Sequence, residues 1–218
     1  MVLARYQAVI FDLDGTLLNT LEDLADSANY ALTVHNFPQR SLGEIRQFVG
    51  NGVANLIRRA VPAGTTPEAI ERCLTDFKAY YLTHMKKKTG PYAGILELLR
   101  ALQNHNCFTA VVSNKFDGAV KELCRDYFDS LLPVALGEKQ GIRKKPAPDL
   151  VLRCLEALQV PADSAVYVGD SDVDIQTAAN AGLPCISVTW GFRDRPFLVE
   201  HGASVLVDTP QELLELLL

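Results

Sequence analysis

The 218-residue chain is 48% hydrophobic with a net charge of −5 and a pI near 5.4, enough apolar content for one substantial core and a small accessory domain. That balance argues against a nucleic-acid surface, the basic run Lys86-Lys87-Lys88 being short, and no apolar run reaches the ~18 residues of a membrane helix. Cys73, Cys107, Cys124, Cys154 and Cys185 are scattered without a C-x-x-C pair, which indicates neither a disulfide framework nor a zinc site, and with no signal-like N-terminal segment the expected compartment is the cytoplasm.

The apolar run Ala8-Val9-Ile10-Phe11 predicts a buried strand, and Asp12-Leu13-Asp14-Gly15-Thr16 follow it directly. Side chains i and i+2 share a strand face, so Asp12 and Asp14 stand side by side at the carboxyl edge of a sheet, where open α/β folds keep their ligands. Two such carboxylates repel and ask for a cation or a shared proton. An acidic turn that merely caps a strand is the plainer alternative.

From residue 17 to residue 88 the pattern is helical. Leu21, Leu24, Ala25, Ala28 and Leu32 share one face, as do Val53, Leu56, Ile57 and Ala60, and then Ile70, Leu74, Phe77 and Tyr81. Pro38, Pro62 and Pro67 punctuate three or four helices. Gly50-Asn51-Gly52 is either a helix stop and start or a set of backbone N–H groups open to an anionic substrate. The lysine run 86–88 is either solvated or a lure for anions.

From residue 91 strands and helices alternate: helix 95–104, strand 107–113, helix 117–126, short strand 132–136, helix 148–158, strand 165–169, a helix near 173–181, strand 185–188, a short strand near 204–207 and a helix from Pro210. This predicts an α/β fold, a Rossmann-like, doubly wound and mainly parallel sheet covered on both sides. The core domain spans 1–16 and 89–218, and the helical cap domain 17–88.

Within that alternation, Val111-Val112-Ser113-Asn114-Lys115 ends a strand in a hydroxyl. Lys144-Lys145-Pro146-Ala147-Pro148 holds a cation before two prolines, and Ala165-Val166-Tyr167-Val168 runs into Gly169-Asp170-Ser171-Asp172-Val173-Asp174. Parallel strands bring these ends to one edge. Carboxylates, Mg²⁺, serine and lysine together are an inventory for phosphoryl transfer. His35, His84, His105 and His201 share no metal-ligand spacing, and Trp190-Gly191-Phe192 either borders the site or packs.

With these four segments the chain resembles the haloacid dehalogenase-like (HAD) hydrolase superfamily, specifically its phosphatases with a helical cap inserted after the first motif. The resemblance covers nearly all of the chain: D-x-D-G-T is Asp12 to Thr16, the Ser/Thr position is Ser113, the lysine falls on Lys145, and G-D-x-x-x-D is Gly169 to Asp174. Leu17 to Leu24, Phe48-Val49-Gly50-Asn51-Gly52 and Pro91-Tyr92-Ala93-Gly94 are most similar to the phosphoglycolate phosphatase group.

The resemblance implies a Mg²⁺-dependent phosphatase that hydrolyses a small phosphorylated metabolite, 2-phosphoglycolate first, through an aspartyl-phosphate. Asp12 would be the nucleophile and Asp14 the general acid, later the base, oriented by Thr16. Ser113 would hydrogen-bond a phosphoryl oxygen, with Asn114 beside it or capping a helix. Lys145, in competition with Arg143 and Lys144, would neutralise the developing charge. Mg²⁺ would be held by Asp12, the backbone carbonyl of Asp14 and Asp170. Asp174 would either touch the metal or stand one step behind it, and Asp172 would either be an exposed first-turn acid or touch the metal. Gly50, Asn51 and Gly52 would meet the substrate from the cap. The partner is the small metabolite alone, with no nucleic acid or membrane, and the chain would act as a monomer or homodimer. A sugar phosphomutase and a phospho-accepting signalling module are the other readings.

Overall fold

The structure is a computed structural model that describes residues 4–218. The chain forms two units, the larger comprising the segment up to Leu18 and Pro91–Leu218, the smaller Asn19–Gly90.

In the larger unit, β1 (Ala8–Phe11) is followed by β2 (Leu18–Asn19), at which the chain leaves for α1 (Leu21–Val34), α2 (Leu42–Phe48), α3 (Val53–Ala60) and α4 (Pro67–His84) of the smaller unit, and by β3 (Gly90–Pro91), at which it returns to α5 (Ile95–Asn104). Then come β4 (Phe108–Phe116), α6 (Asp117–Tyr127), β5 (Val134–Glu138), α7 (Asp149–Leu158), β6 (Ala165–Gly169), α8 (Asp172–Ala181), β7 (Cys185–Val188), α9 (Arg195–Glu200), β8 (Leu206–Val207) and α10 (Pro210–Leu217). Six strands form one parallel sheet in the order β5-β4-β1-β6-β7-β8. The winding reverses at β1, the place where open α/β sheets leave a crevice beyond the strand ends.

All four residues of β1 are fully buried, as a strand covered on both faces requires. Ala8 and Ile10 join Ala110 and Val112 of β4, Ala165 and Tyr167 of β6, and Leu150, Val151, Cys154 and Leu155 of α7 in one apolar cluster. Register does the rest. Phe11 lies opposite Val111 on one side and Val168 on the other, so Asp12, the residues after Val112, and Asp170 leave the sheet at one level.

The smaller unit is helical. Leu24, Ala28, Ala31 and Leu32 of α1 and Cys73, Leu74, Phe77 and Tyr81 of α4 are buried, and the two helices pack together. Ser41 and Glu44 cap α2 reciprocally, and Thr66 with Pro67 starts α4. Buried Asp23 closes the unit: its carboxylate accepts the N–H groups of Lys88 at 3.0 Å and Thr89 at 2.9 Å. Lys88 Nζ lies 2.9 Å from Asp26 and 3.4 Å from Glu22, so this member of the lysine run is held within its own unit.

The smaller unit begins and ends two residues later than the 17–88 expected from periodicity. Leu17 and Leu18 still belong to the turn after β1, where Leu13 O accepts both their N–H groups at 3.0 Å. β2 and β3, through which the chain crosses, form a two-stranded ribbon. The strand expected at 107–113 runs on to Phe116 with an irregularity after Val112, and that expected at 132–136 occupies 134–138. α9 has too few residues for periodicity to reveal; it is set by its N-cap, Asp194, which accepts the Phe197 N–H at 3.1 Å. Among the described residues no helix is long and apolar enough to cross a membrane.

Candidate active site

β1 delivers Asp12 to the sheet edge at 8% exposure. Burial pushes its carboxyl up to about 7; Lys145 opposes this, and Asp174 and Asp14 add to it. The next turn needs Gly15 in the left-handed region, at φ +87°, and a Cβ there would sit 2.3 Å from Asp170 Oδ2. That tight turn brings Thr16 Oγ1 onto Asp170 Oδ1 at 3.2 Å. Thr16 therefore orients Asp170, where Asp14 was expected, because the glycine turn swings its hydroxyl toward β6.

Asp170 is 1% exposed, and burial, then Asp174 and Asp12, drive its carboxyl well above the usual range. Its Oδ2 accepts the Phe192 N–H at 2.7 Å. A Cβ on Gly191 would lie 2.3 Å from Asp170 Cβ, and one on Gly169 the same distance from Asp174 Cβ. Trp190 Nε1 donates to Thr16 O at 3.0 Å. The segment 190–192 thus borders the site and supports both the Asp12–Thr16 turn and Asp170.

Asp174, in the first turn of α8 and fully buried, spends its carboxylate on four donors. Oδ1 takes Lys145 Nζ at 2.8 Å and Tyr167 Oη at 3.1 Å, and Oδ2 takes Ser171 N at 3.1 Å and Ser171 Oγ at 2.6 Å. Asp172 points elsewhere, 4.0 Å from Arg193 Nε.

Lys145 is the lysine that reaches the acids. Its Nζ stands 2.8 Å from Asp12 Oδ1 and from Asp174 Oδ1, and 3.0 Å from Tyr167 Oη. Burial works against its charge, but Asp12 and Asp174 outweigh that and hold its pKa well above the ordinary range. Arg143 instead pairs with Asp149 at 2.7 Å, and Lys144 lies 3.9 Å from Glu138. Asn114 is not an N-cap, since Phe116 precedes α6. Its amide donates to Lys145 O at 3.0 Å and accepts the Lys145 N–H at 2.8 Å, a reciprocal clamp that fixes the lysine's backbone. Ser113, 2% exposed, accepts the Lys115 N–H at 3.2 Å.

Sequence reasoning gave no role to two side chains that the structure builds into the cluster. Lys115 Nζ pairs with Asp14 Oδ1 at 2.5 Å, and Tyr167 Oη touches both Lys145 and Asp174. A hydroxyl inside the apolar run 165–168 was the available signal for Tyr167, since a buried phenol needs partners. Gly50, Asn51 and Gly52 belong to the smaller unit, where all three have positive φ and Gly52 is the N-cap of α3.

Carboxylate oxygens of Asp12, Asp170 and Asp174 lie within 4.8 Å of one another. Asp12 Oδ1 is buried beside Lys145 without an aligned hydrogen bond. Hard oxygen donors crowded in this way fit a divalent cation such as Mg²⁺. With the four contacts of Asp174 made inside the protein, Asp12 and Asp170 are the carboxylates able to turn to it. Asp170→Ala is expected to weaken Mg²⁺ binding at least about 10–100-fold, the cost of losing even an outer partner. Asp172→Ala should change it by less than about 2-fold, because Asp172 points to Arg193 and lies outside the cluster. Calorimetric titration of the two folded variants decides; equal shifts would put the metal on the wrong carboxylate.

Protons and a bound cation would compete for the cluster. The folded protein holds the Asp12 proton more tightly than the unfolded chain, so in the absence of metal this group's contribution to stability is present at low pH. It is lost as pH rises from 3.8 to about 7. A divalent cation such as Mg²⁺ held there would bind the ionised form, and at about 100-fold over its Kd should stabilise the fold by ~2.7 kcal/mol. Melts with chelator and with Mg²⁺ should diverge above about pH 7 and converge below about pH 5. A Mg²⁺ effect independent of pH would contradict this.

Residues 9–188 match the family model described as haloacid dehalogenase-like hydrolase. A phosphoglycolate phosphatase of Rhodobacter capsulatus is 32% identical over 87% of this chain and 87% of its own. Another, of Rhodospirillum rubrum, is 32% identical over 93% of this chain and 87% of its own. The crystal structure of a Lactobacillus delbrueckii subsp. bulgaricus protein, provisionally named phosphoglycolate phosphatase, superposes with a TM-score of 0.94 at 41% identity, covering 98% of this chain and 99% of that one.

Proposed function

We infer that this chain, which belongs to the haloacid dehalogenase-like hydrolases, is a Mg²⁺-dependent phosphoric monoester hydrolase acting on a small phosphorylated metabolite, with 2-phosphoglycolate the leading substrate. The observation that carries the reading is Lys145 set 2.8 Å from both Asp12 and Asp174, with Asp170 beside them. Groups able to serve as a nucleophile, a countercharge and a metal ligand meet at one sheet edge. The names of the relatives favour phosphoglycolate within the class.

In this mechanism an Asp12 oxygen forms a bond to phosphorus as the bond to the leaving oxygen breaks, and Asp14 gives that oxygen its proton. Water then attacks phosphorus, its proton passes to Asp14, and the Asp12–phosphorus bond breaks to release inorganic phosphate. Lys145 offsets negative charge on Asp12 and the phosphoryl oxygens in both steps. Ser113, just past the irregularity after Val112 in β4, would donate its hydroxyl hydrogen to a phosphoryl oxygen while its oxygen accepts the Lys115 N–H. Mg²⁺, held by Asp12, Asp170 and the Asp14 carbonyl, would screen the phosphoryl charge from the carboxylates. Asp174 holds Lys145, and Thr16 and Phe192 hold Asp170.

A panel of phosphorylated metabolites assayed for phosphate release tests this. The expected result is the highest kcat/KM for 2-phosphoglycolate, with activity abolished by chelation and restored by Mg²⁺. Phosphate transfer to a second sugar hydroxyl would point to a mutase, and activity untouched by chelation would remove the metal from the scheme.

A further inference from the structure

Lys115 is buried at 4% exposure, and the chemistry above gives it nothing to do. Its ammonium crosses from β4 to the turn after β1 and meets Asp14 Oδ1 at 2.5 Å, a pairing between residues 101 apart in sequence. Its backbone is held from two sides. Ser113 Oγ accepts its N–H at 3.2 Å, and Gly137 of β5 packs so closely that a Cβ there would lie 2.6 Å from Lys115 O. Asp14 is different: its side chain is 15% exposed and follows directly on the turn. A carboxylate so placed has water and other rotamers within reach, whereas proton transfer needs it within hydrogen-bond distance of the leaving oxygen.

We propose that Lys115 is a positioning residue for Asp14, a buried arm that holds the carboxylate in the orientation both proton transfers require and acts on the reaction only through it. The inference rests on the acid–base reading of Asp14. An ammonium that served the substrate directly, or one that merely filled space, would leave a different kinetic mark.

A double-mutant cycle on the Mg²⁺-loaded protein separates these cases. Lys115→Met should lower kcat for an alkyl phosphate by about 10²-fold, the scale of an ~1 Å misplacement. Phosphoenzyme formation from an aryl phosphate with an acidic phenol, followed by rapid quench, should be nearly spared, because that leaving group needs little protonation. In an Asp14→Asn background, Lys115→Met should cost less than about 2-fold more, since the group it positions is already disabled. Lys115→Arg, which keeps the charge, should recover part of the loss. It also carries the test if Lys115→Met does not fold: its smaller loss must likewise vanish in Asp14→Asn. Losses that multiply across the cycle, or that fall equally on alkyl and aryl substrates, overturn the proposal and leave Asp14 as the acid. An Asp14→Asn protein that still turns over alkyl phosphates overturns the reading of Asp14, and the proposal with it.

Discussion

Asp12→Asn leaves a folded protein whose turnover falls by about 10⁴-fold or more, the scale seen when an essential nucleophile is removed. The amide keeps the shape of the side chain and loses the charge that the proposed mechanism directs at phosphorus. The same change relieves a crowded cluster. Asp12 is a buried acid pushed up to about 7, its oxygens within 4.8 Å of those of Asp170 and Asp174. Lys145 retains Asp174 as its partner after the substitution. Above about pH 7 and without metal, the variant should therefore melt higher than the parent, a gain of stability at the cost of function. Phosphate release, acid-quenched phosphoenzyme and thermal melts check the three parts. Near-normal turnover in a well-folded variant would remove Asp12 from the chemistry.

Asp14→Asn produces a different defect. With an aryl phosphate the phosphoenzyme should form and persist, because an acidic phenol leaves unaided while attack by water still needs a base. With an alkyl phosphate, turnover should fall by about 10²–10⁴-fold. The variant should also be less stable, since the buried Lys115 loses this counter-charge. Acid quench after mixing with labelled aryl phosphate reads the trapped species. Unimpaired turnover of an alkyl phosphate would contradict the role.

The sheet and its acidic edge were legible because each is written locally. An apolar tetrad followed by an acid announces a buried strand with a charged end, and this occurs at Phe11–Asp12 and, one glycine later, at Val168–Asp170. The cross-links were not legible. Asn114 looks like a phosphate ligand or a helix cap until β4 lies beside the loop that carries Lys145. Thr16 sits two residues from Asp14, yet the glycine turn gives its hydroxyl to Asp170, 154 positions away. Lys115 reads as a lysine at a strand end. Only the parallel register of β1 and β4 puts it over Asp14. What the sequence hides is thus the set of contacts created by register and turn conformation, which no single segment encodes.

Trp190 is the only tryptophan in the chain, and its indole N–H is bound to the carbonyl of Thr16. Indole emission responds to the polarity and hydrogen bonding at that nitrogen, so the protein carries its own optical probe, wired to the turn between Asp12 and Thr16. A cation or a phosphate ester that shifts this turn on binding should change the emission of the unlabelled protein in real time. Stopped-flow fluorescence would then separate the arrival of a cation from the arrival of a phosphate ester, two events that a turnover assay reports only as their product.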